Sequence, residues 1–135
     1  MSAVSKFSIA TALAQGHIGK IGEAQRTALK LAPRHADAHI AHGAYHAEIV
    51  AKVGGIVASL TYGAKKDLAI QNFEAALDLF PEAAIAHVEY GDALLLLFGR
   101  SRQADAQKLY REAAACKPMD AMERLDVELA KSKLG

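Results

Sequence analysis

The chain has one cysteine, no tryptophan and only three prolines in 135 residues. A single thiol, Cys116, excludes an internal disulfide and fits a reducing compartment. Net charge is nearly absent, since 16 Lys and Arg oppose 15 Asp and Glu. Such a balance lacks the basic footprint that nucleic-acid binding requires. Long apolar runs are missing too. The longest, Ala93-Leu94-Leu95-Leu96-Leu97-Phe98, falls far short of the roughly 20 residues of a transmembrane helix. Neither a nucleic acid nor a membrane is therefore expected as a partner. Lys6 precedes a short apolar stretch ending in Ala12-Leu13-Ala14, the shape of a signal-cleavage site. Ser8 and Thr11 interrupt it, so a first helix is expected there instead. The phosphate loop G-x-x-x-x-G-K-[ST], the dinucleotide turn and HExxH are all lacking.

What the chain has is alanine, set in a helical rhythm with aromatic residues. The clearest instance is Ala69-Ile70-Gln71-Asn72-Phe73-Glu74-Ala75-Ala76-Leu77-Asp78-Leu79-Phe80-Pro81. Ala69 and Ala76 let a neighbouring helix come close, and Phe73 fills the gap between them. Pro81 ends the helix, because it lacks an N–H and its ring clashes with the preceding turn. Ala106, Tyr110, Ala113 and Pro118 repeat the spacing. Ala38-His39-Ile40-Ala41-His42-Gly43 also matches Ala86-His87-Val88-Glu89-Tyr90-Gly91, 48 residues later. These segments predict helices over 35–53, ended by Gly54-Gly55, and over 82–98, ended by Gly99. Further helices are expected over 1–14, ended by Gln15-Gly16, and over 17–32. The helix that ends before Pro81 takes Asp67 as its cap, and the one that runs to Cys116 takes Ser101. Asp120 and Glu123 form a near capping box for the last helix. Met122, Leu125 and Leu129 recur there at helical spacing, as in a solvating end-cap.

The A-x3-F…P half, preceded by a helix that keeps a Gly, resembles the tetratricopeptide repeat. The resemblance implies an all-α, right-handed superhelix of antiparallel helix pairs in a single domain. It divides into a degenerate repeat over 1–33, a repeat over 34–81, a repeat over 82–118 and a capping helix over 119–135. In the degenerate repeat, Ile21 and Gln25 stand where the Ala and the aromatic are expected. Pro33 and Pro81 lie 48 residues apart, against a family period of about 34. That places an insert at about 54–66, expected to pack as a short helix. His39 and His87 occupy the family's Trp position, and His46 and Leu94 its Tyr position. The order of a Gly-bearing helix, an insert ending Leu60-Thr61-Tyr62-Gly63, and the Ala…Phe…Pro helix covers about 33–118. It is similar to the regulator of microtubule dynamics proteins and their bacterial relatives, which implies an interaction domain without catalytic residues.

The family's working surface is its concave face, which the resemblance assigns to Asp37, Ile40, Ala44, Ala47, Ile85, Val88 and Asp92. No Lys, Arg or Asn carboxylate clamp stands in the two good repeats; only Lys6 is available, in the first. An apolar groove with two acids suits an apolar or basic peptide helix, unless the insert fills it. A second constellation is His35, His39, His42 and His46, at i, i+4, i+7 and i+11, within about 60° of one another on a helix. Two imidazoles at i, i+4 are one way of holding a metal. The same stripe is also the one that repeat packing turns inward, where imidazoles fill volume. Leu94 to Phe98 are apolar on every side, which calls for cover by the insert, the last helix or a second copy. Tyr62 and Lys66 have the Tyr-x-x-x-Lys spacing of short-chain dehydrogenases, with no dinucleotide turn to serve them. Cys116 is expected to be structural.

The expectation is a non-enzymatic, cytoplasmic protein-interaction module with no cofactor, binding a peptide or partner helix on its concave face. One alternative is a small-ligand or metal binder using the insert and the histidine stripe. The other is a structural homodimer through Leu94, Leu95, Leu96, Leu97 and Phe98.

Overall fold

The computed structural model describes residues 3–134, with side chains from Gly16 to Leu134. Lys6 therefore lies outside the described side chains. Helix α1 runs unbroken over Ala3–Leu31. The break expected at Gln15-Gly16 is not there, so Ala3–Leu31 is one long helix where a pair was expected. A lone glycine costs a helix only about 1 kcal/mol. Gly16 also keeps a negative φ, since the positive-φ glycines are Gly54, Gly63 and Gly99.

Helix α2 spans Ala36–Val53, with His35 at its N-cap. Gly54, at φ 85°, turns the chain into the insert, which does form a short helix. It consists of α3, Gly55–Val57, continued by a π-helical turn over Ala58–Tyr62 and closed by Gly63 at φ 65°. Then follow α4 (Lys66–Leu79), α5 (Ala84–Phe98), a 3-10 turn (Gly99–Arg102), α6 (Gln103–Ala114) and α7 (Ala121–Lys133). No strand occurs among the described residues.

Two expected caps are not formed. Asp67 lies inside the first turn of α4, and the N-cap residue Lys65 makes no side-chain cap bond. Ser101 donates to the Phe98 carbonyl at 2.8 Å within the 3-10 turn and leaves α6 uncapped. Asp120 does cap α7, accepting the Glu123 N–H at 2.7 Å, while the Glu123 carboxylate accepts the Met119 N–H at 2.6 Å.

Helix α2 packs antiparallel on α4, since His46 meets Lys65 and His39 meets Asn72. Helix α5 packs on α6 in the same way. The close approach rests on glycine. A Cβ at Gly43 would stand 2.9 Å from the Phe73 ring, and one at Gly91 would stand 2.6 Å from the Tyr110 ring. The core forms where the pairs meet. Phe73, fully buried, stacks on Tyr90 at 5.3 Å between centroids, with Ile40, Ala69, Ala76 and Leu94 around them. Burying a phenylalanine contributes about 2–3 kcal/mol.

Helix α7 turns its small residues inward, Val127 and Ala130 meeting Ala84, Val88 and Ala113. Met122, Leu125 and Leu129 consequently face out, at 68%, 63% and 43% exposure. The insert buries Ala58 and Tyr62 with Ala64 against Tyr45, Ile49, Val50, Ile18 and Leu97. Of the all-apolar run, Leu94 is core, Leu97 is held by the insert, and Leu96 stays 52% exposed.

Candidate functional site

One stripe on each of α2 and α5 remains open once the pairs have packed. On α2 it is Asp37, Ala41, Ala44 and Glu48; on α5 it is Ile85, Glu89, Asp92 and Leu96. Both follow i, i+4, i+7, i+11, and each α5 residue lies 48 positions after its α2 counterpart. Between the stripes lies a cavity of about 210 Å³ lined by Ala44, Ala47, Glu48, Glu89, Asp92, Ala93 and Leu96. A second, of about 270 Å³, opens between α1 and α2, with Ile21, Gln25 and Lys52 on its walls. The two share Ala44 and Glu48, so they form one trough across three helices.

The trough is acidic. Burial pushes the Glu89 carboxyl above its usual range, and Asp92, Glu48 and Asp126 add to the effect. Asp92 is held in place by two donors. The Tyr110 hydroxyl reaches it at 2.5 Å and the Lys133 ammonium at 3.1 Å. Alanines floor the cavity and Leu96 forms an apolar lip, so the chemistry is that of a binding surface with small-residue relief and negative charge.

Of the residues expected on this surface, Asp37, Ala44, Ile85 and Asp92 lie on it. Ile40 and Val88 do not; they are 7% and 1% exposed and belong to the core. Ala47, though 1% exposed, lies on the cavity floor. The true stripe takes Ala41 with Glu89 and Glu48 with Leu96, one residue further on. A signal for this existed in the repeat itself. Positions 40 and 88, and 47 and 95, are apolar in both copies, as a core requires. Positions 41 and 89, and 48 and 96, change character between the copies. No residue of the insert lines the trough, so the insert does not fill it.

The four histidines do not converge on one point. His35 accepts the Ala38 N–H at 3.3 Å as a cap. The His39 Nε2–H donates to the Pro33 carbonyl at 2.7 Å, and the His87 Nε2–H does the same to Pro81 at 2.9 Å. The His87 Nδ1 lies 3.3 Å from the Glu112 carboxylate without hydrogen-bond alignment.

His42 and His46 form a buried relay. The Lys65 N–H donates to His46 Nδ1 at 3.2 Å, which leaves the proton of His46 on Nε2. That N–H donates to His42 Nε2 at 3.0 Å, and the His42 Nδ1–H donates to Gln25 at 2.8 Å. Every group is satisfied with both rings neutral. Burial accordingly lowers both pKa values, that of His46 to about 4, with His42 and Arg26 adding to the effect there. A metal-binding imidazole keeps its second nitrogen as a donor, whereas His46 accepts at its second nitrogen. No three His, Cys, Asp or Glu side chains among the described residues are placed to hold a metal ion.

Tyr62 is buried and packs with Tyr45, Ile49 and Val50 of α2. Cys116 is buried too, with its thiol donating to the Glu112 carbonyl at 3.3 Å. Burial raises its pKa, with Glu82, Glu112 and Glu123 reinforcing the shift, so the nucleophilic thiolate is disfavoured. No family model matches the chain, and comparison with characterised proteins finds no relative.

Proposed function

We propose that this chain is a non-enzymatic, tetratricopeptide-like interaction module that seats a basic, amphipathic helix or peptide in the α1–α2–α5 trough. The observation that carries the reading is the trough's composition. Glu48, Glu89 and Asp92 surround small alanines, and burial, reinforced by its acidic neighbours, holds the Glu89 carboxyl at elevated pKa. A cationic side chain entering the trough relieves that repulsion, and the alanine floor accepts the apolar side of a helix. The tetratricopeptide-like arrangement draws support from the repeated glycine–aromatic contact, whose glycines lie 48 residues apart, and from the His-to-Pro bond repeated at the same interval.

The test is fluorescence anisotropy with paired helical peptides, one Lys/Arg-rich and one Asp/Glu-rich on the polar face. The basic peptide should bind, and Glu48→Lys with Glu89→Lys should weaken it by tenfold or more while admitting the acidic one. Equal binding of both peptides, or indifference to the charge reversal, would sink the proposal.

A further inference from the structure

The insert presents a second surface beside the trough, and Lys52 borders both. Its inner side is Ala58 and Tyr62, both buried. Its outer side is Ile56, Val57 and Leu60, exposed at 78%, 46% and 83%. On a helix these three lie together, opposite Ala58 and Tyr62. Nothing in the repeat rhythm asks for them, because the insert lies outside the unit that stacks. Three aliphatic side chains aimed at water are costly unless something covers them.

The charge around the stripe is mostly of one sign. From Ile49 to Lys66 the chain carries Lys52, Lys65 and Lys66 and no acidic residue. All three lysines are exposed. At the same end of the molecule, the Phe98 ring gathers two cations, with Lys66 at 5.1 Å and Arg102 at 5.3 Å from its centroid. Arg100 stands beside them in the 3-10 turn. Facing them are Asp67, in the first turn of α4, and Asp105, paired with Arg102 at 2.6 Å. The surface is thus an aliphatic ridge within a mostly cationic field.

We infer that this ridge docks on the surface of an anionic lipid bilayer, with Ile56, Val57 and Leu60 entering the headgroup boundary and the lysines meeting lipid phosphates. An apolar face with lysines beside it is the composition that lies in a membrane interface. Its size decides against a second copy of the chain. A stable protein interface takes about 800 Å² from each partner, and three aliphatic side chains supply far less. Shallow insertion helped by charge needs only a few such groups. The contact is peripheral, since no helix among the described residues is long and apolar enough to cross a membrane. It adds a surface partner where the absence of long apolar runs had suggested none.

The test is co-sedimentation with phosphatidylcholine vesicles, with and without phosphatidylserine. Wild type should pellet with the anionic vesicles and stay free of the neutral ones. Leu60→Glu, at a site exposed enough to leave folding intact, should lower partitioning by about tenfold. Lys52→Glu with Lys65→Glu should lower it by about fivefold per residue, with added salt acting the same way. Failure of wild type to bind anionic vesicles, or unchanged binding by Leu60→Glu, would overturn the inference. A wild-type dimer in solution that Leu60→Glu returns to monomer would assign the ridge to a second copy instead.

Discussion

Helix pairs α2/α4 and α5/α6 are two versions of one unit, and they differ most in how they fill the same interior positions. His42 and His46 in the first pair correspond to Tyr90 and Leu94 in the second. The insert lies beside this difference. It separates α2 from α4, and the N–H of the N-cap residue Lys65, which has no side-chain cap, finds its acceptor in His46. The relay runs on to Gln25 of α1. The second pair is joined by a short 3-10 turn, α6 is likewise without a side-chain cap, and the corresponding position is the apolar Leu94. The two pairs thus differ in the chemistry of a core as well as in the length of a loop.

The comparison can be broken at its shared element first. Phe73→Ala and Tyr110→Ala each remove a nearly fully buried ring from the hollow over a glycine, and each should cost about 3–5 kcal/mol in denaturant unfolding. A loss under about 1 kcal/mol at either site would mean that the two pairs are not packed alike.

The next test separates the pairs. His46→Leu makes the first pair resemble the second, but strands the Lys65 N–H and His42, so about 1–3 kcal/mol of stability should go at neutral pH. The wild type should also show an acid-side loss that the variant lacks. The folded His46 pKa is depressed to about 4 from 6.5. The unfolded chain therefore takes up a proton first as pH falls. Stability should decline through the window from 6.5 to 4, by roughly 2–3 kcal/mol. A flat profile there, measured by thermal melting, would show that the rings are not held neutral.

The smallest effect lies at the trough. The folded protein holds Glu89 in a field that resists ionisation, so Glu89→Gln should raise stability by about 0.5 kcal/mol at neutral pH, discounted for its partial exposure. It should also weaken the basic peptide. A variant that melts lower and binds as wild type would detach Glu89 from the site.

Much of the helical framework was legible because its signals are local. Ala69, Phe73, Ala76 and Pro81 announce a close-packed helix and its end without reference to any other segment. The errors share a physical origin in contacts distant along the chain. Gly16 looked like a break, but a single glycine lacks the energy to stop a helix that tertiary packing sustains. Met122, Leu125 and Leu129 mark an apolar stripe on α7, but spacing does not say which neighbour a stripe meets, and these three face out. Val127 and Ala130 won the inner place by being small enough for close approach. The trough lies one residue away from Ile40 and Val88, because the two internal copies, and not the family pattern, tell core from surface there. The histidine stripe was visible at once. Its meaning was not, since the donor that sets its tautomers is a backbone group nineteen residues away.

The bonds from His39 to the Pro33 carbonyl and from His87 to the Pro81 carbonyl have a geometric consequence. Each spans six residues and pins the corner where the chain enters a new helix pair. The entry to each pair therefore carries a local brace at the same place, in addition to the packing of Phe73 on Tyr90 where the pairs meet. A second anchor of this kind limits how far a corner can open even when the core beside it relaxes.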